Sequence, residues 1–324
     1  MAAVTRRIQL TGGSTYIISI PGKWVKENGL DRGSEVSVEE VNGNLVVSAR
    51  GQKTRERNRR INITKAMDRD LLQRVLTAAY IAGFDTLVVR SNQYISQEMR
   101  EDIKRFAKVV MGVEIFEEGA NSIVLQNVLD SSTFPLNKAI NRMALNVDVM
   151  IQDTIKGIED SDTSLLGNVI QRDDEVDRYQ WYVYREVRSR SCEDSRVPFF
   201  LIISRILERI ADHAVNICRT WQSPADVSSV RDEVINGLRS SHSLLKEALE
   251  AFYSTDLQRL NAIVSKKGSV VAEKVRIIER AGNGDALIQA ISVSEDIARI
   301  GLYSTDIAEL AMDMIMSSRD EISL

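Results

Sequence analysis

From residue 5 to residue 49, apolar and polar positions alternate in short runs cut by turn signals, the two-residue period of half-buried strands. Ile8 and Leu10 lead to Gly12-Gly13, Tyr16 to Ile20 stops at Pro21-Gly22, and Trp24 to Leu30 has room for one helical turn or two. A second strand pair, Glu35 to Val41 and Leu45 to Ala49, is joined by Asn42-Gly43, a dipeptide suited to tight hairpins needing positive φ. So short a β segment buries too little apolar surface to be comfortably stable alone, and pairing with a second copy is the natural remedy.

Residues 51–60, GQKTRERNRR, read as a charged linker. Residues 61–130 then read as a compact αβ unit. Strands are expected at Ile61 to Ile63, Thr86 to Val89, Val113 to Phe116 and Ser122 to Val128, with helices from the Asp68 cap through Ile81 and from Ser96 to Met111. No phosphate-cradling glycine loop, nucleophile motif or histidine occurs there, which suits a connecting or oligomerising role. From Phe134 the period becomes helical, with Leu136, Ile140, Met143, Val147 and Met150 spaced by fours and threes. This half repeats itself: residues 155–170 align with 249–264 at an offset of 94, and 209–217 with 299–307 at an offset of 90. Each copy predicts three helices, about 135–159, 163–190 and 197–221, then 226–252, 256–281 and 285–317. Two such units in series pack as a pseudo-symmetric bundle.

Composition adds a polarity. Of the formal net charge of −4, residues 1–60 carry eleven Lys and Arg against six Asp and Glu, while the rest carries 31 against 40. A basic module on an acidic body suits a segment that meets polyanions, although on charge alone a solvated linker accounts for the arginines of 50–60 equally well. The N-terminus has no apolar signal core and no stretch is long enough to span a membrane, so a cytoplasmic protein without membrane insertion is expected. Cys192 and Cys218 form neither a disulfide framework nor a thiolate zinc motif, and read as a loop thiol and a core thiol.

The sharpest chemistry lies in the first helical copy. Asp173 and Asp177 share a face of its second helix, and Glu208 and Asp212 share a face of its third. Two like-charged pairs on adjacent helices repel unless they face water or share cations, and hard metal ions with oxygen ligands are the obvious partners. A solvated acidic face eased by Arg172, Arg178, Arg205 and Arg209 fits the spacing as well. In the second copy the aligned positions are Lys267, Val271, Ala298 and Leu302, so one site per chain is expected; only Asn216 keeps a polar counterpart, Asp306. His213 points away from Asp212 and reads as a helix-packing or partner-facing residue, while His242 reads as exposed. Nothing has the spacing of a catalytic site.

Two resemblances sharpen these expectations. The run QLTGGSTYIISIPGKWVKENGLDRGSEVSVEEVNGNLVV resembles the AbrB/SpoVT swapped-hairpin domain, which implies an intertwined dimer that binds DNA through a basic face. Arg6, Arg7, Lys23 and Lys26 then become phosphate-contact candidates, with Ser14 and Tyr16 near the same edge. IQRDDEVDR and LERIADHAVNI resemble the two signature stretches of the PhoU family, whose E/D-x-x-x-D motifs ligate metal clusters, here through Asp173, Asp177, Glu208 and Asp212. The implied cofactor is a divalent or trivalent metal ion, with iron, zinc and magnesium all open. Together the two resemble the phosphate uptake regulators of archaea. The implied partners are promoter DNA, a phosphate transporter's ATPase and a second copy or more of the chain; an accessory protein acting only through protein contacts is the other reading. The fold expected is multidomain α+β. It comprises an N-terminal swapped-hairpin β domain (1–50), the linker (51–60), a small αβ connecting domain (61–130) and an all-α bundle of two three-helix repeats (134–318; repeats 134–222 and 226–318).

Overall fold

The computed structural model describes residues 5–41, 43–49, 57–64, 67–129, 134–190, 196–223, 228–254, 256–282 and 287–318. The chain divides into two compact units, Met1–Glu56 and Arg57–Leu324.

In the first unit β1 (Gln9–Thr11) and β2 (Thr15–Ile17) form one antiparallel hairpin, and β3 (Val36–Val41) and β4 (Asn44–Ala49) form another, with the short helix α1 (Gly22–Glu27) between them. The Gly12-Gly13 turn works because both residues adopt positive φ, 61° and 82°. Asn42 lies outside the described residues, while Gly43 beside it has the expected positive φ of 73°. One expectation fails: the strand predicted over Tyr16 to Ile20 ends at Ile17, because Ile18 to Ile20 find no paired strand among the described residues of the single chain. No described side chain of this unit is buried. Ile8, Leu10, Tyr16 and Leu45 are 69%, 59%, 74% and 71% exposed. At about 25 cal/mol per Å² of apolar surface, such a unit has almost no hydrophobic stabilisation of its own.

The second unit opens with β5 (Asn58–Ile63), which takes up the end of the expected linker; residues 51–56 lie outside the described residues. Then follow α2 (Arg69–Ile81), β6 (Thr86–Ser91), α3 (Gln97–Val109), β7 (Val113–Glu118) and β8 (Ser122–Asn127). Asp68 and Ser96 cap α2 and α3 by accepting from the backbone N–H groups of Leu71 and Met99. The sheet order is β5-β6-β8-β7, with β5 parallel to β6 across the α2 crossover and the other pairs antiparallel. Leu72, Leu76 and Tyr80 of α2 and Ile103 and Phe106 of α3 pack with Ile63, Leu87, Val89, Ile123 and Leu125, so both helices lie on one sheet face. Arg100 is buried, donating to the carbonyls of Ile95, Gly119 and Ala120 and pairing with Glu118 at 3.0 Å, which fixes the β7–β8 turn.

The helices are α4 (Leu136–Glu159), α5 (Thr163–Arg190), α6 (Val197–Trp221), α7 (Arg231–Phe252), α8 (Leu257–Val264), α9 (Lys267–Ala281) and α10 (Leu287–Ser318), with a 3-10 turn at Ser228–Val230. The fifth predicted helix is divided into α8 and α9 by a tightened turn at Ser265-Lys266. There the Ser265 hydroxyl donates back to the Asn261 carbonyl and the Lys266 N–H reaches Ile263, three residues back. One continuous core runs through both repeats, including Cys218; Cys192 lies outside the described residues. Gly157 lets α4 approach Leu166, and Gly301 lets α10 approach Val270; a Cβ there would lie 2.6 and 2.8 Å from those side chains.

Two contacts mark the seam between repeats. The His242 ring of α7 meets Asp148 of α4 at 2.6 Å, and the His213 ring of α6 stacks on Tyr303 of α10 with centroids 5.8 Å apart. By the offsets of 94 and 90, both pairs join positions that are equivalent in the two repeats. His213 also meets Asp296 at 2.7 Å, which confirms its packing role. His242 is not exposed: its side chain is 14% accessible, because the Asp148 carboxylate lies across the seam.

The αβ part is tied to the bundle through α5. Trp181 packs against the core beneath the sheet. Arg185, 8% exposed, donates to the carbonyls of Tyr80 and Phe84 and stacks on both their rings.

Candidate functional site

The basic candidates of the first unit are all exposed. Arg6 and Arg7 precede β1, Ser14 lies in the glycine turn, and Tyr16 stands on β2 opposite Leu10. Lys23 and Lys26 lie three residues apart on α1, with Lys23 loosely paired to Glu27 at 3.9 Å. Ser14 and Tyr16 thus share a hairpin, and the two lysines share a helix face.

The four carboxylates sit where α5 packs against α6. Asp173 and Asp177 are one turn apart on α5, as are Glu208 and Asp212 on α6. Burial and then the neighbouring Asp212, Asp174 and Glu208 push the Asp173 carboxyl up to about 6. Burial and then Asp173, Glu208 and Asp212 push Asp177 up to about 7. Glu208 is raised by burial and by Asp212, opposed by Arg205 and Arg209, which lie 3.3 and 4.0 Å from its oxygens. The arginine relief expected at this face is therefore partial. Arg205 and Arg209 serve Glu208, whereas Arg172 turns to Asp153 on α4 at 3.8 Å. Asp173 Oδ1 and Glu208 Oε2 are buried without a hydrogen-bond partner.

Among the described residues, no three His, Cys, Asp or Glu side chains converge as a ready-made metal cage. The donor set nevertheless suits a hard cation. Burial and the neighbouring carboxylates raise Asp173, Asp177 and Glu208, and two of the buried oxygens, Asp173 Oδ1 and Glu208 Oε2, lack a hydrogen bond; a cation between α5 and α6 would offset both costs.

At the aligned place in the second repeat, the Lys267 ammonium bridges Glu309 at 2.7 Å and Asp306 at 3.9 Å on α10. The polarity of the first repeat is reversed there: Glu309 aligns with Arg219, which opposes the rise of Asp173. Sequence comparison had marked Lys267 only as a lost ligand, and its aligned partner Glu309 was the missed signal. Arg185 and Trp181 also escaped sequence reasoning, since a polar stripe on α5 gives no sign of what covers it.

Comparison with known families places both ends of the chain. Residues 140–220 match the model of the PhoU domain, and residues 9–55 match that of the antidote-toxin recognition MazE, bacterial antitoxin. The chain is thus similar to a MazE/AbrB-like domain near its start and to a PhoU domain in its first helical repeat. The PhoU match contains all four carboxylates, and the MazE match contains Ser14, Tyr16, Lys23 and Lys26 but begins after Arg6 and Arg7. A phosphate-specific transport system accessory protein PhoU homolog of Clostridium acetobutylicum is 22% identical over 216 residues, covering 61% of this chain and 99% of the relative. Another so named, from Caulobacter vibrioides, is 28% identical over 133 residues, covering 38% of this chain and 58% of the relative. Among solved structures, the phosphate transport system regulatory protein PhoU of Streptococcus pneumoniae is similar at a TM-score of 0.48 and 15% identity, over 55% of this chain and 92% of that one. PhoU of Pseudomonas aeruginosa is similar at 0.45 and 18%, over 56% and 96%. Among the described residues, no helix is long and apolar enough to cross a membrane.

Proposed function

We propose that this PhoU-domain protein is a phosphate-responsive transcription regulator. Its N-terminal domain pairs with that of a second copy and binds DNA, and its helical domain takes a metal ion and contacts a phosphate transporter's ATPase. The observation that carries the DNA-binding half is a β unit with no fully buried side chain among its described residues, with Ile8, Leu10, Tyr16 and Leu45 exposed and its cations unburied, in a chain that also matches the PhoU domain. A second copy would cover Ile8, Leu10 and Ile18 to Ile20, and would place two sets of Arg6, Arg7, Lys23 and Lys26 on one assembly. Phosphate contacts of this kind give affinity that falls steeply with salt, while Ser14 and Tyr16 supply polar groups beside them.

In the helical domain, Asp173 and Asp177 from α5 and Glu208 and Asp212 from α6 would hold the ion. A bound divalent or trivalent ion, iron, zinc or magnesium, supplies fixed positive charge and oxygen coordination there. The carboxylates then join α5 to α6 instead of repelling, and α5 carries the αβ part through Arg185. The chain acts by binding, without catalysis.

The test is binding of the purified protein to promoter DNA of phosphate-transport genes across a salt series, beside a variant with Arg6, Arg7 and Lys23 changed to Ala. Binding that weakens with salt and disappears in the variant is the expected result. A wild type that ignores DNA at low salt with metal supplied would instead leave an accessory protein working by protein contacts, the reading favoured by the names of the Clostridium and Caulobacter relatives.

A further inference from the structure

The four-stranded sheet buries one face under α2 and α3, and among the described residues its other face carries no helix of this core. On that open face the strand registers line up a row across all four strands: Arg60 on β5, Val88 on β6, Val124 on β8 and Glu117 on β7. The two outer residues are exposed and the two valines partly buried. Neither Arg60 nor Glu117 has an ion-pair partner among the described residues. The row reads basic, apolar, apolar, acidic, with one charge on each edge strand.

We propose that this open face pairs with the same face of a second copy of the chain. A two-fold axis parallel to the strands lays β5 over the partner's β7 and β6 over the partner's β8 while keeping the rows level. Arg60 then meets the partner's Glu117, and Val88 meets the partner's Val124. Because the contact is isologous, each pair occurs twice. The next row behaves alike: it runs Asn58, Thr86, Gln126, Glu114, so it brings amide to carboxylate and hydroxyl to amide.

The face is small. Four strands about 4.8 Å apart, with about five residues each at about 3.3 Å, cover about 300 Å² per copy, against roughly 800 Å² per partner in a standard stable interface. It closes only in chains already held together, so the inference rests on the reading that the N-terminal domains pair. Tethering raises the local concentration of the second face enough for a weak contact to form.

The experiment uses the full chain in a Cys192→Ser background, carrying Arg60→Cys and Glu117→Cys together or singly, treated with a two-carbon bismaleimide. Within one chain these positions lie three strand spacings apart, about 14 Å, too far for that linker. Sedimentation equilibrium first establishes that the chains associate. Covalent dimer several-fold above either single variant is expected, and associated chains that cross-link no better than the singles overturn the paired face alone. Monomers in sedimentation overturn the N-terminal pairing as well. Separately, Arg60→Glu and Glu117→Arg should each weaken association about tenfold, and the two together should restore it. A loss of DNA affinity in Arg60→Glu that Glu117→Arg leaves unrestored would overturn the proposal by assigning the face to nucleic acid.

Discussion

Replacing Asp177 by Asn should stabilise the metal-free protein at pH 8. Its carboxyl rises from an ordinary 3.8 to about 7 on folding, first by burial and then by Asp173, Glu208 and Asp212. A raised acid binds its proton more tightly in the folded chain, so stability falls as pH climbs from about 4 to about 7 and stays low above. Carried straight through at about 1.4 kcal/mol per tenfold, the cost at pH 8 is about 4 kcal/mol; because Asp177 keeps some contact with water, screening leaves roughly 1–2 kcal/mol. Asn removes the charge and keeps the shape. Urea unfolding of the helical signal, in chelator, should show Asp177→Asn more stable than the parent at pH 8 and indistinguishable at pH 4. Adding a divalent ion should reverse the order, because only the parent gains binding energy in its folded state. A variant that is less stable than the parent at pH 8 in chelator would refute strain among these four carboxylates.

Three further outcomes follow from the packing. Arg185→Met keeps the stem but loses the donations to Tyr80 and Phe84, so amide exchange at the end of α2 should quicken and stability should fall by about 2–3 kcal/mol. Gly301→Ala drives a Cβ to within 2.8 Å of Val270, so α10 must shift from α9, costing about 1–3 kcal/mol in thermal or urea unfolding. His242→Ala leaves Asp148 without its partner at the seam and should cost about 1–3 kcal/mol, whereas His242→Ala with Asp148→Ala should recover part of that loss in a double-mutant cycle.

Long helices were the most legible features of the sequence. α5 runs Thr163–Arg190 and α6 Val197–Trp221, as the helical period and the polar interval between them suggest. Caps were readable for the same local reason, since Asp68 and Ser96 bond three residues ahead. The carboxylate spacing put four candidates on facing helices, but not the direction of each side chain, which depends on Arg205, Arg209 and the depth of the α5–α6 contact. Long-range partners were invisible: the repeat offset of 94 makes His242 and Asp148 equivalent without saying that they touch, and no spacing along the chain announces that Arg185 reaches α2. The shortened β2 fails for a related reason, because a strand's length is set by its neighbour and that neighbour is missing from a lone chain's described residues.

The seam between the repeats has a consequence for how the chain can diverge. In an assembly of two identical subunits, a residue on the symmetry axis faces its own kind, so acid meets acid and any change strikes both sides together. Here the two halves share one chain, and equivalent positions are free to differ: Asp148 is answered by His242, and His213 by Tyr303. The same freedom lets Lys267 stand where its counterpart is Asp173. Fusion thus turns a place where symmetry forbids complementary charge into one where a single substitution can create it, and it leaves one half able to specialise while the other preserves the frame.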